Sequence, residues 1–86
     1  MRMLKVLMDS ATEEKIFKKH GVGREEVEAA LLFDEPKYFK TSRDRHWAIG
    51  FGNRFVTVIF QYEKGTAEVI TAYPSSEWQI KLYKRK

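Results

Sequence analysis

The chain has 86 residues, 16 Lys and Arg against 12 Asp and Glu, a formal net charge of +4 and no cysteine. That length suits a single domain over residues 1–86 with one modest core, marginal without help from oligomerisation or a bound partner. Without cysteine there are no disulfides or thiolate metal sites, and His20 and His46 lack ligand spacing, so no metal and no other cofactor is expected.

Leu4, Val6 and Met8 alternate with Lys5 and Leu7, which predicts a short first strand. Ser10-Ala11-Thr12-Glu13 has capping-box spacing and starts a helix that runs to about His20, where Gly21 can end it. A second helix begins at Val22-Gly23, with Glu25, Glu26 and Glu28 near its positive end and Val22 able to staple onto Val27. Val27, Ala30 and Leu31 form its buried stripe, and Pro36 ends it. From there the period becomes extended. Tyr38–Ser42, His46–Phe51, Phe55–Tyr62 and Thr66–Tyr73 read as four strands of an antiparallel meander, separated by Arg43-Asp44-Arg45, Gly52-Asn53-Arg54 and Glu63-Lys64-Gly65. Ser75-Ser76 follows Pro74 and can cap a final helix carrying Trp78 and Leu82 on one face. The expected fold is α+β: an N-terminal strand and two helices packed on a four-stranded antiparallel sheet, a short C-terminal helix, and the helices in one layer.

Val56, Val58 and Phe60 share one face of the third sheet strand and should meet the helices. Phe55, Thr57, Ile59 and Gln61 share the other, which suits either a half-solvated binding face or a homodimer contact. His46 and Trp47 lie on opposite faces; with Trp47 turned to the core, His46 points outward. Trp47 and Trp78 are expected in the core.

Residues 1–44 carry nine basic and nine acidic side chains, while residues 45–86 carry seven basic and three acidic. The excess crowds around Lys81, Lys84, Arg85 and Lys86, with Arg45 and Arg54 near the sheet, as fits a phosphate-bearing partner or simply a solvated basic tail. The N-terminus lacks an uninterrupted apolar run and no stretch is long enough to span a bilayer, so a cytoplasmic protein without membrane association is expected.

The order of Lys19-His20-Gly21-Val22, Arg45-His46-Trp47-Ala48-Ile49-Gly50, the hairpin Phe55–Tyr73 and the helix Ser75–Tyr83 resembles the BrnT-like branch of the RelE/ParE toxins over residues 9–83. In that branch a Lys-His-Gly-aliphatic turn follows the first helix, a basic residue opens a strand ending in Ala-x-Gly, and a long hairpin leads to a helix with a tyrosine, here Tyr83. The chain departs from the pattern where the family arginine closing the last strand falls on Tyr73. The family's helix glutamate and arginine fall on Gln79 and Ile80, and its basic residue after the Ala-x-Gly strand falls on Phe51. The resemblance implies a RelE-like fold and a toxin of a bacterial toxin–antitoxin pair, an endoribonuclease that cleaves mRNA without metal and is neutralised by a cognate antitoxin protein. It implies catalytic roles for Arg45, His20 and Tyr73. RNA-binding candidates are His46, Arg54, Tyr62, Lys84 and Arg85.

Such cleavage needs a base to take the 2′-hydroxyl proton, an acid for the leaving 5′-oxygen, and positive groups around the pentavalent phosphorus. Histidine is the natural titrating group. Each candidate also has a plainer reading. His20 can cap carbonyls at a helix end, His46 and Arg45 can be ordinary surface residues, and Tyr62 and Tyr73 can simply cover the sheet edge. The alternative functions are a catalytically silent module of the same fold that binds RNA or protein, and a dimerising interaction domain.

Overall fold

The computed structural model of the chain describes residues 3–34, 36–40 and 45–85. Its elements in chain order are β1 (Lys5–Leu7), α1 (Ser10–His20), α2 (Arg24–Glu28), a π-helical turn (Ala29–Phe33), β2 (Lys37–Lys40), β3 (Arg45–Phe51), β4 (Phe55–Glu63), β5 (Thr66–Pro74) and α3 (Glu77–Lys84). The predicted strand end at Ser42 and the separator residues Arg43 and Asp44 lie outside the described residues.

The sheet has five strands, not four, in the order β1-β5-β4-β3-β2. β2 to β5 form the expected antiparallel meander, and β1 adds to its edge in parallel with β5, pairing Lys5 with Thr66 and Leu7 with Glu68. The pairing starts at the hairpin tip. Lys64 and Gly65 take φ of 48° and 84°, a two-residue turn with both residues left-handed, and the Gly65 carbonyl accepts from the Leu4 and Lys5 amides at 2.8 and 3.0 Å. This partner lies sixty residues away in sequence, so alternation predicts the strand but not its neighbour.

α1 starts one residue earlier than the capping-box spacing suggests. Asp9 is the cap and its carboxylate accepts from the Thr12 amide at 2.7 Å, so its pKa is lowered. Glu13 is thereby released to pair with Arg24, whose guanidinium also donates to the Met8 carbonyl, joining α2 to α1 and the end of β1. At the other end Gly21 takes φ of 69° and its own amide closes the helix on the Phe17 carbonyl at 2.8 Å. The imidazole of His20 is therefore not needed as a cap.

The core is one cluster in which Ile16, Val22, Val27 and Leu31 of the helical segments meet Ala48, Val56, Val58, Phe60, Ala67, Val69 and Ala72 of the sheet. The register matches Ala48 to Val58 and Gly50 to Val56, so β3 presents its smallest residues to the helices. A Cβ on Gly50 would stand 2.4 Å from the Ala30 carbonyl oxygen, which shows how closely the π-helical turn rests on β3. β5 carries one bulge, with Thr71 opposite Ile59 and Val69 opposite Phe60, leaving Ile70 as the extra residue.

α3 corrects the one-layer expectation. It lies on the opposite face of the sheet, over Phe55 and Thr57 of β4 and Trp47 of β3. Gln79 and Tyr83 face the sheet, whereas Trp78 is 58% exposed. The Tyr83 hydroxyl donates to Asp34 at 2.7 Å, and Asp34 also accepts from the Phe51 amide at 2.8 Å, so one carboxylate pins α3 to the end of β3. The face of β4 holding Thr57, expected to be half-solvated or dimeric, is in part roofed by the chain's own helix, and Thr57 is fully buried.

Candidate active site and nucleic-acid interface

Two of the three catalytic candidates meet. β1 pairs only with Thr66, Ala67 and Glu68, so among the described residues the second half of β5 has no strand on its outer side, and α1 packs against it. There His20, the last residue of α1, sets its imidazole against the Tyr73 ring with centroids 5.9 Å apart, tilted by 53°. Both side chains are half-buried, with one side open to solvent.

A polar network holds Tyr73 from beneath. Gln79 Nε2 donates to the Tyr73 hydroxyl at 3.1 Å, while Gln79 Oε1 accepts from the Ser76 amide at 2.9 Å and from the Thr57 hydroxyl at 3.0 Å. Ser75 Oγ lies 2.8 Å from Thr57 Oγ1. Ser76 and Gln79 also form the reciprocal capping box of α3. The predicted Ser75-Ser76 cap is thus observed, at Ser76. Gln79 is the component that sequence reasoning did not assign to the site, although the Ser-x-x-Gln spacing after Pro74 was its signal.

Arg45, the third candidate, is at the far end of β3, opposite Gln61, whereas Tyr73 is opposite Thr57. Four residues along the strands and two strands across separate them by about 16 Å. Arg45 shares a face of β3 with Trp47, which belongs to an aromatic group: Phe39 stacks on Trp47 at 4.3 Å and 20°, and Trp78 meets Trp47 edge-on at 6.0 Å. The two tryptophans, expected in the core, instead meet at the sheet surface, Trp47 on β3 half-buried and Trp78 on α3 exposed.

His46 faces the opposite way from the expectation. It shares the helix-side face with Ala48 and Gly50, stacks on Phe60 at 5.8 Å and meets Tyr62 edge-on at 6.0 Å. The reason is steric: the close approach at Ala30 reserves that face for Ala48 and Gly50, and alternation carries His46 with them. Its Nδ1 is buried without a hydrogen-bond partner among the described residues. Near it, Tyr38 has a raised pKa, from burial first and from proximity to Tyr62 second.

Arg54 is tied into the scaffold. Its Nε and Nη2 reach the Glu26 carboxylate at 2.8 and 3.2 Å, and Nη2 donates to the Gly21 carbonyl at 2.8 Å. This clamp joins the β3–β4 turn to the α1 cap beside His20. Glu26 holds the guanidinium pKa above its ordinary value, so Arg54 stays charged and the clamp keeps its strength across the neutral range. Arg54→Ala should therefore lower the melting temperature by a few degrees, by the same amount across the neutral range, as read by circular dichroism. Lys84 Nζ lies over the Phe55 ring at 5.6 Å, and Arg85 caps the exposed end of α3.

A separate open groove of about 840 Å³ runs along α1 and α2 past Phe17, Phe33 and Phe51, and none of the candidate site residues lines it. Among the described residues no group of three or more His, Asp or Glu is placed to hold a metal, and no helix is long and apolar enough to cross a membrane.

These features define a small α+β protein with a five-stranded mixed sheet, helices on both faces and a His–Tyr pair at an open strand edge. The chain is BrnT-like. Its structure is similar to the crystal structure of the Brucella abortus ribonuclease toxin BrnT, at 28% sequence identity and a TM-score of 0.69, covering 87% of this chain and 100% of that one. No protein-family model matches the sequence, and no curated protein matches it.

Proposed function

We propose that the chain is the toxin of a bacterial toxin–antitoxin pair, of the RelE/ParE type, and that it cleaves mRNA in the cytoplasm without a metal ion. Its similarity to the BrnT ribonuclease toxin over that protein's full length carries this reading. The meeting of His20 and Tyr73 on an accessible edge supports it.

In this mechanism the RNA backbone crosses the open half of β5 with one phosphate at Tyr73. His20 takes the proton of the adjacent 2′-hydroxyl, whose oxygen attacks the phosphorus and expels the 5′-oxygen of the next nucleotide, which takes up a proton from solvent water as it leaves. The Tyr73 hydroxyl donates a hydrogen bond to the phosphoryl oxygens as their charge grows. The products are a 2′,3′-cyclic phosphate and a 5′-hydroxyl. Arg45, about 16 Å away by strand geometry, binds a phosphate elsewhere on the same RNA rather than the reacting one. The exposed ring of Trp78 beside Trp47 offers a stacking surface for an unpaired base. A cognate antitoxin silences the toxin by covering this surface.

Induced expression in a bacterial host should arrest growth and shorten bulk mRNA, and co-expression of the antitoxin should restore both. Normal growth at verified soluble expression would overturn the reading. For the interface, about four phosphate contacts to single-stranded RNA give a slope of log K against log[salt] near −3. Replacing Lys84 and Arg85 with Ala should flatten it to about −1.5 without changing sequence preference, since phosphate contacts position but do not specify. Fluorescence titrations at several salt concentrations measure it, and an unchanged slope places the RNA elsewhere.

A further inference from the structure

We infer that Gln79 is a positioning residue that sets the direction of the Tyr73 hydroxyl proton, so that Tyr73 faces its ligand as a hydrogen-bond donor. This rests on the ribonuclease reading above and adds to it a residue that never touches RNA.

The orientation of the Gln79 amide follows from its surroundings. The Ser76 main-chain N–H can only donate, and it meets one end of the amide at 2.9 Å, so that end is the oxygen. The Thr57 and Ser76 hydroxyls, at 3.0 and 3.2 Å, point to the same oxygen. The other end is then the NH2 group, and it meets the Tyr73 hydroxyl at 3.1 Å. A flipped amide would set two donors against each other at Ser76 in a site where Gln79 is 4% exposed. With its oxygen accepting from Gln79, the phenol turns its own proton away from the Gln79 amide.

A phosphate presents acceptors, so a hydroxyl delivered proton-first binds it and one delivered lone-pair-first repels it. The Ser75, Thr57, Ser76 and Gln79 network fixes that polarity without a charge. Tyr73 and Gln79 also occupy the two positions where the resemblance places an arginine and a glutamate, and the direct hydrogen bond between them makes these two departures a single paired change.

Gln79→Glu tests the inference. The carboxylate keeps the capping box, since glutamate is as suitable as glutamine there, and still accepts from Ser76 and Thr57. Toward Tyr73 it offers an acceptor in place of a donor, so the phenol proton turns inward. In wild-type protein that cleaves RNA, kcat for Gln79→Glu should fall by about 10²-fold, the effect of losing one transition-state donor, with KM and melting temperature little changed. Gln79→Met leaves the hydroxyl free to rotate and should lose no more than about tenfold, although it breaks the capping box and melts lower. Activity and stability then rank the two variants in opposite orders, which a purely structural role would not produce. The further change Tyr73→Phe should abolish the difference between them.

Acidification should also restore Gln79→Glu relative to wild type, because the protonated carboxyl can again donate to Tyr73. An active wild type with Gln79→Glu equal to it, or less impaired than Gln79→Met, overturns the inference and leaves the ribonuclease reading intact. An inert wild type overturns both.

Discussion

Replacing Gly50 with alanine should lower the melting temperature by more than about 12 °C or prevent folding altogether. The added Cβ would lie 2.4 Å from the Ala30 carbonyl oxygen and 2.9 Å from the Ala30 carbonyl carbon and Cβ. The obstruction is mostly main chain, so it cannot swing aside as a flexible side chain could. Overpacking a well-filled core ordinarily costs about 1–3 kcal/mol, and this position belongs at or above the top of that range because a whole helical turn must lift off β3. At roughly 4–8 °C per kcal/mol for a domain of this size, the shift is easily read by circular dichroism. Gly23→Ala is the matched control. Nothing lies within 4 Å of its Cβ position and its φ of −92° suits any residue, so only a weaker helix cap is expected, a few degrees at most. The Ala-x-Gly strand motif therefore acts through packing, and it also decides which face of β3 every other side chain takes.

His20→Ala should reduce RNA cleavage by about 10²–10⁴-fold, the range for loss of a positioned base. Tyr73→Phe should reduce it by about 10²–10³-fold through loss of one donor at the phosphoryl oxygens. Stability should barely change in either case. The α1 terminus is closed by the Gly21 amide rather than by the imidazole, and phenylalanine keeps the ring. RNA binding by both variants should stay near wild type, since phosphates and bases elsewhere supply most of the affinity. The double variant should be no slower than the product of the singles, and closer to the slower single if both residues serve one transition state. Arg45→Ala is the contrasting case. Standing about 16 Å from Tyr73 by strand geometry, it should weaken binding and flatten the salt dependence while leaving the single-turnover rate of bound RNA intact.

Much of this architecture can be read from local sequence. Gly21 ends α1, Val22 and Val27 bracket the start of α2 inside the core, and Val56, Val58 and Phe60 face the helices, all as spacing predicts. Each depends on residues within a few positions of one another. The order of these pieces along the chain also carries the BrnT resemblance, independently of strand pairing. What spacing left open depends on long-range choices. β1 finds β5 through hydrogen bonds to the Gly65 carbonyl, and nothing near residue 5 encodes that partner. Alternation separates His46 from Trp47 but is silent on which faces inward. Hydrophobicity favours the tryptophan, and the contact between Gly50 and Ala30 decides otherwise. α3 likewise settles on the far face because Gln79 and Tyr83, two polar residues, find hydrogen-bond partners there in buried Thr57 and half-buried Asp34. A pattern search that equates the apolar stripe with the buried stripe selects Trp78 and Leu82 instead. For the candidate site, His20, Tyr73 and Arg45 are candidates from the sequence, while the contact of the first two, the separation of Arg45 and the place of Gln79 needed the fold.

The most direct test of the central claim is a cleavage assay on single-stranded RNA with the purified chain in the presence of a metal chelator, followed by analysis of the product ends. The account predicts endonucleolytic products ending in 2′,3′-cyclic phosphate with 5′-hydroxyl partners, formed by wild type and reduced to background in the double variant His20→Ala with Tyr73→Phe. Wild-type protein no more active than that folded double variant would contradict it.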